Sequence, residues 1–260
     1  MYTVRVATVA DLGLVPGPEI FWMARFGEFL PLHINVVLLQ GEGHNILINC
    51  GPPDDAIDQM NVTWRGELGP QTQLTTSGPQ AILRVLGEWD LAPADIDTIV
   101  LTPLQAYAVG GVDLFPRATV CVSRTGWVDL FAPRHYDSRR MMAVPDRLLQ
   151  YLLFTAWPAR RVRLLQDEDT IYPGLHTWWA GTHHRSSLAV EADTADGRVA
   201  VSDVAFYYEN LEAPHWLGIA ESIEECKDAY QRLNTTSARF VSLYDPTTLI
   251  RYPNGLVTRS

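Results

Sequence analysis

Histidine, cysteine, acidic and hydroxyl side chains are the groups from which this chain could build a reactive centre, and their spacing excludes several familiar ones. The sequence holds no Gly-x-Ser-x-Gly elbow, phosphate-binding loop, dinucleotide fingerprint or His-Glu-x-x-His pair. His183 and His184 are adjacent, an arrangement that invites a metal reading. Neighbours on a strand point to opposite faces, so the pair is not expected to serve one site. His33, His135, His176 and His215 stand alone and read as surface or hydrogen-bonded core residues. The three cysteines, Cys50, Cys121 and Cys226, are widely separated and form no Cys-x-x-Cys pair, so neither a disulfide framework nor a zinc knuckle is indicated. Cys121 and Cys226 read as small buried hydrophobes.

A more specific pattern runs along the chain. His44-Asn45-Ile46-Leu47-Ile48-Asn49-Cys50-Gly51 is followed by Ala94-Asp95-Ile96-Asp97 and then by Ile99-Val100-Leu101-Thr102-Pro103-Leu104-Gln105-Ala106-Tyr107-Ala108-Val109-Gly110-Gly111. Further on come Gly181-Thr182-His183-His184-Arg185-Ser186-Ser187, Val201-Ser202-Asp203-Val204 and Val241-Ser242-Leu243-Tyr244-Asp245-Pro246. In order and spacing these segments resemble the landmarks of the metallo-β-lactamase fold, nearest to its branch of N-acyl homoserine lactonases. The resemblance implies a single domain over residues 1–260: an α/β, αββα sandwich of two mixed β-sheets with outer helices.

The same resemblance implies that the metal site is degenerate. Where the family has Thr-His-x-His-x-Asp-His, the ligand positions here read Pro103, Gln105, Tyr107 and Ala108, and Tyr244 replaces the last histidine. His183 and Asp203 survive. A catalytic zinc uses about three protein ligands plus water and a structural zinc about four, so one histidine and one aspartate satisfy neither. Proline and alanine cannot ligate, glutamine is a poor neutral donor, and tyrosine would have to lose a proton whose pKa lies near 10. The family's chemistry relies on a metal that lowers the pKa of bound water from roughly 15.7 to about 7. The expectation is therefore no metal and no cofactor.

An emptied site leaves Asp203 without a counter-charge, and a buried unpaired carboxylate costs several kcal/mol or takes up a proton. Arg185, where the family has proline, is the expected partner, with His183 as imidazolium the other choice. Tyr107 and Tyr244 are expected to fill the volume vacated by metals and imidazoles. Cys50 ends an early strand that the family places near the pocket; it reads as a packed thiol, with a nucleophilic role as the alternative. Tyr207-Tyr208-Glu209-Asn210-Leu211-Glu212 resembles a segment that lines the old pocket or an interface.

The elements that must position these residues read as strands and helices without repeats or linkers. Ile34–Leu39 and Asn45–Ile48 are apolar runs joined by Gly41-Glu42-Gly43, a hairpin. Ile82, Val85, Leu86 and Trp89 share one face of a helix over Ser77–Trp89, with Ser77 as N-cap before Pro79 and Leu91-Ala92-Pro93 as the break. A strand follows at Ile96–Leu101. Asp146–Trp157 reads as a helix, preceded by a loop rich in arginine and methionine. Val162–Leu165, His176–Ala180, Ser187–Glu191, Arg198–Val201 and Phe240–Leu243 read as strands, with a turn at Ala195-Asp196-Gly197. Gly218–Leu233 reads as a helix with an acidic outer face of Glu221, Glu224 and Glu225.

Composition sets wider bounds. The 260 residues, 47% of them hydrophobic, suffice for one large domain with a buried core. A net charge of -10 argues against non-specific nucleic-acid binding, and the pairs Arg139-Arg140 and Arg160-Arg161 read as solvated faces. No run approaches roughly 18 apolar residues, so no membrane span is expected and a cytoplasmic location is the default.

Three functions follow as expectations. The chain is a metal-free, non-catalytic subunit of a hetero-oligomeric hydrolase of lactones, esters or activated ethers, whose active site lies on a metal-bearing homologous chain. Alternatively it is a metal-independent enzyme in which His183, Asp203, Cys50, Tyr107 or Tyr244 serves as acid, base or nucleophile. In the third reading it binds a small molecule in the emptied cleft. Trp157, Trp178, Trp179, Trp216, Phe206 and Tyr207 supply either interface anchors or core.

Overall fold

Alternating and fully apolar segments sort into two sheets in a computed structural model of the chain, which describes residues 1–78, 80–133 and 144–258. Strands β1 (Tyr2–Pro16), β2 (Phe29–Gly41), β3 (His44–Ile48), β4 (Thr72–Thr76), β5 (Thr98–Leu101), β6 (Thr119–Ser123) and β7 (Val162–Leu165) form the first sheet. Their order is β4-β1-β2-β3-β5-β6-β7. Strands β8 (Glu168–Tyr172), β9 (Leu175–Trp179), β10 (Leu188–Thr194), β11 (Gly197–Ser202) and β12 (Arg239–Ser242) form the second, ordered β12-β11-β10-β9-β8. Both are mixed. β3, β5, β6 and β7 run parallel while β1 to β4 pair antiparallel, and β12 joins β11 in parallel at the edge of an otherwise antiparallel sheet. The expected α/β sandwich with outer helices is what forms.

Burial explains the strand types. All of Thr98–Leu101 is buried, as a central parallel strand covered on both faces requires. The β2–β3 hairpin closes with Glu42 at φ 53° and Gly43 at φ 80°, the two left-handed residues of a type I′ turn. Its register, Gly41 opposite His44 through Val37 opposite Ile48, aligns the apolar faces of both strands.

Several boundaries differ from expectation, each for a local reason. The longest strand, β1, has no counterpart in the sequence reading: register shifts between Thr8 and Ala10 and between Asp11 and Gly13 break its period of two. The helix expected from Ser77 runs Ala81–Glu88. Ser77 does not cap it; its hydroxyl donates to the Val9 carbonyl and accepts from Arg84 Nη2 at 2.8 Å. The Asp146 helix is α only to Tyr151 and continues as a π turn, Leu152–Ala156. The helix expected from Gly218 spans Ile223–Thr236, because Ser222 caps it by accepting from the Glu225 amide and Glu224 and Glu225 favour its N-terminal dipole. Pro79, His135 and the Arg139-Arg140 pair lie outside the described residues. No helix among the described residues is long and apolar enough to cross a membrane.

Candidate functional site

The ends of β5, β11 and β12 and the turn before β10 meet at one edge of the sandwich. After β5 the chain turns at Thr102, which Asn49 clasps from the end of β3: Asn49 Oδ1 accepts from the Thr102 amide at 2.8 Å and its Nδ2 donates to the Thr102 carbonyl at 2.7 Å. The Thr102 hydroxyl in turn accepts the Leu188 amide at 2.8 Å, tying the first sheet to β10 of the second. A short helix, Ala106–Val109, then carries Tyr107. It is stapled to the end of β3, since the Cys50 amide donates to Ala108 and the Gly110 amide to Gly51, both at 2.8 Å.

Asp203, just past β11, is wholly buried. Thr102 Oγ1 donates to its Oδ1 at 2.5 Å, Ser187 Oγ to its Oδ2 at 2.5 Å, and His183 Nδ1 lies 3.0 Å from Oδ2. These neutral and imidazole donors compensate the carboxylate in place of the expected guanidinium. Arg185 points the other way. It bonds Glu221 through Nε at 2.6 Å and Glu225 through Nη1 at 3.1 Å and through Nη2, with its guanidinium 4.8 Å from the centre of the Trp179 ring. Burial alone would raise the Glu225 pKa, yet the bonds from Arg185 and the Thr182 amide hold it below the usual carboxylate range. The expectation of an Arg185–Asp203 pair is thus corrected, and His183, its alternative, is the group in contact.

The imidazole pair also departs from expectation. Residues 181–187 form a turn, with Gly181 at φ 54° and Thr182 at φ 63°, so strand alternation does not apply. The two rings lie 4.0 Å apart, and both line one cavity. His184 Nε2 is 3.0 Å from the Tyr107 hydroxyl. Burial, then the neighbouring His183 and Arg185, push its pKa well below 6.5. A histidine kept neutral by folding takes its proton more readily when unfolded, so stability is full above about pH 6.5 and falls as the solution is acidified below it. With the side chain 22% exposed, the slope should lie under the limiting ~1.4 kcal/mol per pH unit. Urea denaturation at pH 7 and pH 5 checks this: His184→Phe is expected to reduce the loss, and an unchanged loss would refute the assignment.

The cavity measures about 250 Å³. Tyr107, Tyr244, Phe206 and Trp64 form an aromatic wall, with Phe206 and Tyr244 4.7 Å apart edge-on and His183 edge-on to Phe206 at 4.8 Å. Tyr107 and Tyr244 were expected to fill the vacated volume; they line it and leave it open. Burial, then charges nearby, pushes both phenols well above 10. The Tyr244 hydroxyl is buried beside that of Tyr107, with no hydrogen bond of normal geometry among the described residues. Of the other expected pocket residues, Pro103, Gln105, Ala108 and Arg185 are not on the cavity wall, and Asp203 lies beneath it. Cys50 faces a different cleft with Pro52, Asp113 and Arg147, where burial and then Asp113 push its thiol up, which removes it as a nucleophile at neutral pH. The Tyr207–Glu212 segment turns away as well, with Tyr208, Leu211 and Glu212 lining a third cleft. Sequence reasoning missed Asn49, Thr102 and Ser187, whose signal lies only in contacts between distant segments.

The donors present do not fit the metals that the resemblance implies. His183 and both Asp203 oxygens are engaged with protein, and no group of three or more histidine, cysteine or acidic side chains able to hold a metal forms among the described residues.

Comparison with known proteins agrees with the architecture. The sequence profile described as "Metallo-beta-lactamase superfamily" matches residues 30–243. The chain belongs to that superfamily. Its fold is similar to that of an N-acyl homoserine lactone hydrolase solved with N-hexanoyl-L-homoserine at its catalytic metal centre, at TM-score 0.72 and 15% identity over 96% of this chain and 95% of the other. It is similar also to a probable metal-dependent hydrolase from Staphylococcus aureus, at TM-score 0.72 and 13% identity over 94% and 89% of the two chains. A third, the dizinc quorum-quenching lactonase AidC, aligns at TM-score 0.67 and 14% identity over 98% and 89%. No curated protein sequence matches. At these identities the likeness to solved structures establishes the fold of this metallo-beta-lactamase superfamily member, while its chemistry rests on its own side chains.

Proposed function

We propose that this chain is a metal-free, non-catalytic subunit of a hetero-oligomeric metallo-β-lactamase-fold hydrolase of lactones, esters or activated ethers, with the reaction carried out on a metal-bearing homologous chain. The observation that supports this most is the closed network around Asp203: Thr102, Ser187 and His183 consume the carboxylate that would otherwise hold a metal or act as a base. The remaining nucleophile candidates are a buried thiol and two phenols held in their protonated forms. A fold kept intact around such a site is consistent with service as a scaffold. Phe131 and Trp157, both packed on Trp127, keep 43% and 45% of their surface exposed, and aromatic surface of this kind suits a partner. Trp178 is buried in the core and Phe206 lines the cavity.

A second reading, a small-molecule binding protein, draws on the open cavity beside His184. The experiment that separates them starts from the purified chain alone, which is expected to carry substoichiometric zinc by mass spectrometry and to turn over no lactone, aryl ester or nitroaryl ether. Co-expression with a homologue retaining His-x-His-x-Asp-His is expected to give a mixed oligomer by light scattering, with activity that depends on the partner's metal. Turnover by the isolated chain in excess chelator, or stoichiometric tightly held metal, would defeat the proposal.

A further inference from the structure

The wall of the cavity carries a hydrogen-bond donor whose direction is set by its buried neighbour. The Tyr107 phenol is protonated; it meets His184 Nε2 at 3.0 Å and lies beside the Tyr244 hydroxyl. If Nε2 carried the hydrogen, Tyr107 would have to turn its own toward Tyr244, whose hydrogen would then be buried without an acceptor, a costly arrangement. Tyr107 is therefore the donor, Nε2 the acceptor, and the imidazole hydrogen sits on Nδ1. Among the described residues Nδ1 makes no hydrogen bond: the nearest carboxylate oxygen, Glu221 Oε1, is 4.0 Å away, and the other Glu221 oxygen is taken by Arg185.

The rest of the lining selects against negative charge. Leu12, Leu32, Ile34 and Phe206 contribute apolar surface; Glu19 and Glu221 are the acidic groups on the wall, and no lysine or arginine lies among the lining residues. Glu19 is itself drawn toward its neutral form by burial. A cavity of about 150 Å³ lined by apolar side chains accommodates benzene. One of about 250 Å³ therefore takes a single ring with a short substituent.

We propose that this cavity binds an uncharged, single-ring or similarly sized apolar molecule carrying one hydrogen-bond acceptor, which His184 Nδ1–H meets, and that it rejects anions. This specificity rests on the metal-free reading of the site and not on the partner subunit, so the co-expression experiment and the binding experiment fail independently. It differs from recognition at a metal centre in that the acceptor group is met by an imidazole N–H and a carboxylate ligand is repelled.

Calorimetric titration of the full chain with acetophenone, its isostere α-methylstyrene, and benzoate tests the proposal. Acetophenone is expected to bind and benzoate to give no detectable heat of binding. In His184→Phe the ratio of acetophenone to α-methylstyrene affinity should fall about tenfold, the effect of one lost hydrogen bond. Leu32→Trp should abolish binding of both by occupying the cavity. As a measurement independent of any variant, the carbonyl stretch of acetophenone bound to the wild-type chain should lie below its frequency in hexane. The proposal is overturned if acetophenone does not bind, if benzoate binds as tightly, if the affinity ratio is unchanged in a folded His184→Phe protein, or if the bound carbonyl band is unshifted.

Discussion

Asp203→Ala is expected to lower the unfolding free energy by about 3–5 kcal/mol, far more than an average point substitution. The carboxylate is wholly buried and takes hydrogen bonds at 2.5 Å from both Thr102 and Ser187, with His183 at 3.0 Å. Alanine strands those polar groups where water does not reach, at about 1–3 kcal/mol for each one left unpaired. Asp203→Asn keeps an acceptor on one side and should cost about half as much. Urea denaturation monitored by tryptophan fluorescence gives the comparison. Sites kept for catalysis tend to trade stability for function, and their removal is often neutral or stabilising. A neutral or stabilising result for Asp203→Ala would mean that the aspartate is held for reaction rather than for folding, and would overturn the scaffold reading as well.

Gly110→Ala is the second substitution with a large expected effect. A Cβ at Gly110 would lie 2.2 Å from Pro52 C and Pro53 N and 2.6 Å from Gly51 O. These are backbone atoms of the loop to which Gly110 is itself hydrogen-bonded, so neither side can yield. The φ of Gly110 is -57°, so the requirement is for space and not for left-handed backbone. A cost above about 3 kcal/mol is expected, which at this chain length lowers Tm by about 10 °C. The adjacent Gly111 has the opposite character: its φ of 74° penalises a side chain, but the nearest atoms to a new Cβ are 3.3 Å away on the flexible side chains of Ile82 and Leu114. Gly111→Ala should cost about 1–2 kcal/mol. Thermal melts that rank Gly111→Ala as the worse variant would contradict this account. The glycine pair thus has a structural role in packing the Ala106–Val109 helix against the end of β3, independent of any metal.

Where the sequence was legible, the signal was local. Burial on one or both faces leaves a repeating pattern, so the β2–β3 hairpin, β5, and the second-sheet strands β9 to β12 could be read from apolar runs and turn residues. Helix starts were harder. Ser77 and Ser222 are both reasonable caps by type, yet only Ser222 accepts a helix amide, because Ser77 is drawn to β1 through the Val9 carbonyl. The bulges of β1 hid the longest strand by switching the phase of its side chains.

Residue types alone determined that Pro103, Ala108 and Tyr244 cannot reproduce a histidine metal site, since that follows from the atoms they lack. They also placed His183 and Asp203 in the two segments that meet. Only the tertiary structure decided what compensates Asp203. Thr102 comes from the end of β5 while His183 and Ser187 share one turn, and that same turn sends Arg185 out to Glu221 and Glu225. It likewise decided that His183 and His184 share a cavity, because left-handed residues at Gly181 and Thr182 replace the strand geometry on which alternation depends. Such choices turn on directions of side chains across long sequence separations, and no spacing along the chain encodes them.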